Sequence, residues 1–158
     1  MRVELTKGNS ASEKDIAFLA QKLGTQLPPD LLAFLHLYDG AEPEPNIFKV
    51  GTTNEAGVNG FIPVRDIARE AQNIENLGAG SFPIAWAEGG NYIIIDRASG
   101  GAVFFWDHEL PGSPTKLADS FLSFLDLLEP FDATTIQLKP GQVITTWIDP
   151  DFLKTLKK

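Results

Sequence analysis

The sequence predicts an α+β fold: a single domain with a mainly antiparallel (mixed) sheet and helices packed against it. Three features point there. Helical hydrophobic spacing dominates the segment up to Gly40, strand-like runs joined by short glycine-containing links occupy 82–107, and helical spacing returns near Leu117. Such segregation places an antiparallel sheet against a layer of helices. At 158 residues the chain fits one domain and is long enough to bury a sizeable core.

Ser12, with Asp15 three residues later, forms an approximate capping box, and Ile16, Leu19, Ala20 and Leu23 then recur at helical spacing until Gly24. In "LPPDLLAFLHLYDG" the prolines suit a helix start, the apolar residues surround the helix on nearly all sides so that it is mostly buried, and Asp39-Gly40 stops it. The segment "AEPEPNIFKVGTTNEAGVNG" reads as an irregular, exposed acidic loop with a short strand at 47–50. A middle helix spans 66–77, with Ile67, Ala71 and Ile74 on one face and glycines behind it.

"FPIAWA", "NYIIID" and "GAVFFWD" are rich in aromatic and β-branched residues, and the links "EGG" and "RASGG" make them an antiparallel meander. Leu117, Phe121, Phe124, Leu125 and Leu128 trace the face of a helix ending at Pro130. The predicted core includes Leu23, Leu35, Ile94, Phe104, Phe121 and Leu125. The remaining 133–158 read as a hairpin turning at Pro140-Gly141 followed by a short basic helix, an extension beyond a core at about 12–128.

The chain contains no cysteine, which excludes disulfides, thiolate nucleophiles and Cys-based zinc sites and suits a reducing compartment. The N-terminal "MRVELTKGNSASEKD" lacks a signal-peptide core, and nowhere is there a run near ~18 apolar residues, so a cytoplasmic chain with no membrane partner is expected. Net charge is −8, and between Asp30 and Asp132 there are 16 acids against 5 bases. Such a body repels phosphates, which argues against nucleic-acid binding, and attracts basic partners; solubility alone is the plainer role for the same charges.

Of the two histidines, His36 lies inside the second helix and reads as structural, whereas His108 stands between Asp107 and Glu109 at a strand end. Neighbours on an extended chain point in opposite directions, so that triplet cannot close on one metal without a turn. No serine sits in G-x-S-x-G, and neither G-x-G-x-x-G nor G-x-x-x-x-G-K-[ST] occurs. The acidic "DGAEPEPN" lacks calcium-loop spacing. No catalytic residue, cofactor or metal is therefore assigned, although paired carboxylates could in principle do acid/base work.

The order of these motifs resembles the SUKH superfamily, the Smi/Knr-like proteins common among bacterial immunity proteins. The resemblance is carried by Leu27-Pro28 before a helix stopped by Asp39-Gly40, by Gly89-Gly90-Asn91 between strands, and by Gly101, Val103, Trp106, Asp107 and His108. It runs from about Ser12 to Leu128; Asn91 stands where the family often has an acid, and the tail lies outside the pattern. It implies a non-enzymatic module that binds a protein partner, a toxin domain with a basic surface. The alternatives are a regulatory scaffold unconnected with toxins and an enzyme using unrecognised carboxylates. The expected partner surface combines Asp39, Glu42 and Glu44 with Glu88, Asn91, Asp107, His108 and Glu109. Trp106 is either an aromatic anchor at its edge or a core residue.

Overall fold

The computed structural model describes residues 2–132. The hairpin and basic helix expected at 133–158 lie outside the described residues. Helix α1 (Glu13–Leu23) begins as its sequence dictates: the Ser12 side chain accepts the Asp15 N–H, and Gly24 closes the helix in the left-handed conformation at φ 68°. Helix α2 (Pro29–Tyr38) buries Leu31, Phe34 and Leu35. It is less buried than its composition suggests, because Leu37 is 65% exposed.

The expected acidic loop is instead a folded segment. Beside the expected short strand, β3 (Ile47–Val50), it supplies β2 (Glu42–Glu44) and β4 (Asn54–Phe61), and β2 pairs with a strand not foreseen, β1 (Glu4–Thr6). Gly57, Val58, Gly60 and Phe61 are buried, and Gly57 admits the close approach of a neighbouring side chain rather than loosening a loop. The middle helix α3 is shorter and starts earlier than its periodicity implied (Val64–Glu70), with a single 3-10 turn at 71–73.

The meander is as the sequence predicts: β5 (Phe82–Ala87), β6 (Asn91–Asp96) and β7 (Ala102–Trp106), all antiparallel. The final helix is not one element from Leu117. Leu117 belongs to β8 (Thr115–Ala118), and only Phe121–Asp126 form α4, capped by Ser120. The strands order β3-β4-β5-β6-β7-β8 in one antiparallel sheet.

Residues directly opposite one another share a face, which assigns the two sides of the sheet. One carries Phe61, Ala85, Ile93 and Phe105. It meets the helices through edge-to-face aromatic contacts: Phe34 of α2 and Phe121 of α4 on Phe61, and Phe124 of α4 on Phe48, with centroids 4.8 to 5.8 Å apart. In a flat sheet β3 and β7 would lie four spacings apart, roughly 19 Å. Phe48 on β3 touches Phe105 on β7 at 5.7 Å, so the sheet curls tightly around α4. Of the predicted core, Leu35, Ile94, Phe121 and Leu125 are buried, while Leu23 and Phe104 are half-buried and pack at its margin.

Candidate functional site

The curl brings together residues that the sequence holds far apart. The β5–β6 link is only Glu88-Gly89-Gly90, and the two glycines, at φ 75° and 80°, take left-handed conformations that let Ala87 and Asn91 pair at once. After Trp106 the chain turns: the Leu110 N–H reaches the Asp107 carbonyl at 3.0 Å, and the Glu109 N–H reaches the Asp107 carboxylate at 2.8 Å. Asn91 ties link to turn, its Oδ1 meeting the His108 backbone N–H at 3.0 Å and the ring Nδ1 at 2.7 Å.

Between these loops and the ends of β3, β4 and β8 lies a cleft of about 400 Å³. Glu55, Glu88 and Asp107 bring three carboxylates to it, Asn54, Asn91 and Thr115 add neutral polar groups, and Phe105 and Leu110 supply apolar wall. No lysine or arginine lines the cleft, and among the described residues none of the three carboxylates is ion-paired. Glu88 lies across the backbone of Gly57, where a Cβ would come within 2.7 Å of its Oε1. Glycine at that position leaves room for the carboxylate.

Of the residues expected to form the partner surface, Glu88, Asn91 and Asp107 line this cleft, and His108 and Glu109 belong to the turn beside it. Asp39, Glu42 and Glu44 do not line it. Asp39 is half-buried, and its Oδ1 accepts the Val64 N–H at 2.7 Å, fixing the start of α3. Burial raises its carboxyl above the ordinary aspartate value, with the Val64 hydrogen bond and Arg65 opposing. Glu42 pairs with Lys7 at 2.8 Å, and Glu44 is exposed on β2 opposite Glu4. Trp106 is 6% exposed and faces the opposite side of the sheet, beside Tyr92. His36 stands 3.5 Å from Glu13 at the helical surface.

Glu55 and Asn54 were hidden from sequence reading by the loop assignment; only the alternation of a strand there would have revealed them. A second polar centre was also missed. The Glu70 carboxylate, 14% exposed, accepts the Tyr92 hydroxyl at 2.6 Å and the Trp86 indole at 3.1 Å, while Asn73 donates to Tyr92. Burial raises the Glu70 carboxyl, but those two hydrogen bonds together with Arg69 more than offset it, and the net shift is downward. Tyr92 shifts upward, from burial and its carboxylate partner. Partners 16 and 22 residues away leave no local pattern to read.

Among the described residues no three His, Asp or Glu side chains converge as a metal site, and no helix is long and apolar enough to cross a membrane. Compared with known families, residues 10–127 match the SMI1 / KNR4 family (SUKH-1). No curated protein matches the sequence.

Proposed function

Because the chain belongs to the SMI1/KNR4 family (SUKH-1), we propose that it is a non-catalytic protein-binding module, an immunity protein that binds and neutralises a bacterial toxin in the cytoplasm, and that it meets this partner at the acidic cleft. The observation that carries the reading is the convergence of Glu55, Glu88 and Asp107 around one concavity whose lining holds no lysine or arginine, the nearby Lys49 opposite Glu55 being paired with Glu129. Like charges in a cleft with low-dielectric walls focus the field and raise the arrival rate of a basic partner. Such complementarity acts on association rate and specificity more than on affinity. The clasp between Asn91 and His108 holds the loops that present two of the three charges, so the surface is organised before the partner arrives.

His108 and Glu109 extend this surface along the turn, and 133–158 is read as an addition to the module, since the family match stops at 127. The test is coexpression with the protein encoded by the neighbouring gene, scored as survival of cells that this protein otherwise kills. Rescue that is lost on reversing the cleft charges supports the reading. Absence of rescue, with no complex formed between the purified proteins, favours a regulatory scaffold instead.

A further inference from the structure

The face of the sheet turned away from the aromatic core carries a groove of about 260 Å³ between 74–78 and the turn at 111–114, with Ile94, Phe104 and Trp106 among its lining. That volume falls below the roughly 300–1,000 Å³ of small-molecule pockets, and it suits side chains of a larger partner. Two indoles lie on this face, and the fold treats them differently. Trp86 donates to Glu70 at 3.1 Å. Trp106, equally committed to the sheet and 6% exposed, has a buried Nε1 with no hydrogen-bond partner among the described residues. Tyr92, its neighbour at 5.9 Å between ring centroids, already engages Glu70 and Asn73 through its hydroxyl. An indole N–H is a donor only, so what would satisfy it is an acceptor from beyond the described residues, and a docked partner segment supplies one.

We infer that this groove is a second docking surface, taking an extended, proline-containing segment of a protein partner that also carries a cationic side chain. The inference rests on the reading of the chain as a protein-binding module but not on the acidic cleft. A polyproline II backbone has no internal hydrogen bonds, so its carbonyls are free to accept from an indole, and grooves walled by aromatic rings take such segments. Phe104 and Trp106 supply the aromatic rings here, and Pro111 and Pro114 add apolar surface beside them. Glu75 and Asp96 line the same groove with no lysine or arginine. Asp96 is held below the ordinary aspartate value by the Ser99 and Ser81 hydroxyls, against burial, and is ionised at neutral pH.

The spacing fits as well. Trp106 pairs with Tyr92 and Ala102 with Asp96, so indole and carboxylate lie four strand residues apart, about 13 Å. Roughly four residues of polyproline II at ~3.1 Å each cover that distance. Nε1 is covered in the free chain, so the proposed hydrogen bond requires a wall of the groove to shift as the segment seats; Gly78 and Gly112 lie in those walls.

The experiment follows indole N–H resonances by nuclear magnetic resonance while the full chain is titrated with a capped Pro-Pro-Pro-Lys-Pro peptide, Trp106 being assigned through Trp106→Phe. The Trp106 signal is expected to move downfield and saturate, the Trp86 signal to stay, and a peptide with glutamate in place of lysine to bind more weakly. Glu75→Lys, at an exposed position, is expected to weaken binding about two- to fivefold, the worth of one exposed charge pair. Reversal of Glu55, Glu88 and Asp107 leaves this titration unchanged, which separates it from the cleft. No movement of the Trp106 signal at millimolar peptide, equal binding of the two peptides, or loss of binding on cleft reversal overturns the inference.

Discussion

Asn91 and His108 share a single oxygen, since Asn91 Oδ1 lies 3.0 Å from the His108 backbone nitrogen and 2.7 Å from ring Nδ1. A backbone N–H can only donate, so the amide presents its oxygen, and a neutral His108 ring carries its hydrogen on Nδ1. Ring nitrogen chemical shifts of the neutral His108 side chain are expected to report that tautomer. Asn91→Ala is expected to cost about 1 kcal/mol, the net worth of an ordinary hydrogen bond, and to speed hydrogen exchange at the His108 amide. Exchange unchanged in the variant would mean that the turn holds itself in place.

The aromatic contacts rank the core. Phe121 is buried and meets both Phe34 and Phe61, so Phe121→Ala is expected to cost about 3–5 kcal/mol. Phe104 is half-buried at the groove, and Phe104→Ala is expected to cost clearly less, although its strand position alone suggested the full amount. Denaturation midpoints of the two variants decide this; equal losses would place Phe104 in the core.

What the sequence made legible divides along physical lines. Ser12 and Gly24 bracket α1, and the runs from Phe82 to Trp106 form a meander, because capping and alternation are local signals. Glu88, Asn91 and Asp107 were visible because they sit at the ends of those runs. The strand holding Glu55 was not, since its glycines and asparagines imitate a loop and its burial comes from distant partners such as Ala87 opposite Val58. Leu117 misled for a related reason: its spacing to Phe121 continues the helical period of α4, yet Thr115–Ala118 pair with β7. That Asp39 lies apart from the cleft was not legible, because sequence cannot show that its carboxylate is engaged by α3.

Glu70 makes stability depend on acid. Its folded-state value lies below the ordinary 4.5, so its contribution is present above that value and is lost as pH falls through the lowered one. Tyr92 is raised above 10.0, so its contribution persists below that value and is lost as pH rises through the raised one. Glu70→Gln is expected to cost about 1.5–3 kcal/mol at neutral pH, the range for hydrogen bonds to a charged group, with the difference from the parent shrinking in acid. A pH-independent difference would remove the carboxylate's charge from the explanation.

Asp39 acts with the opposite sign. Its raised value means that the folded state favours protonation, so its contribution grows as pH falls and is lost as pH rises through the raised value. Asp39→Asn keeps an acceptor for Val64 without a buried charge and is expected to be neutral or slightly stabilising at neutral pH, an advantage that disappears in acid. Asp39→Ala leaves the Val64 N–H unsatisfied and is expected to cost about 1 kcal/mol, as other lost helix caps do. Thermal melts across pH distinguish the two variants.

The central claim is that the partner is steered to the cleft by Glu55, Glu88 and Asp107, and its most direct measurement is the association rate with the neighbouring gene's product, followed by stopped flow against salt. The parent rate is expected to fall as salt rises, and charge reversal of the three residues to lysine to slow association at low salt by about tenfold to a thousandfold, with the fold intact. Reversal of Glu42 and Glu44, which lie outside the cleft, is expected to slow it far less. An association rate untouched by the cleft reversals, or one governed instead by Glu42 and Glu44, would contradict the account.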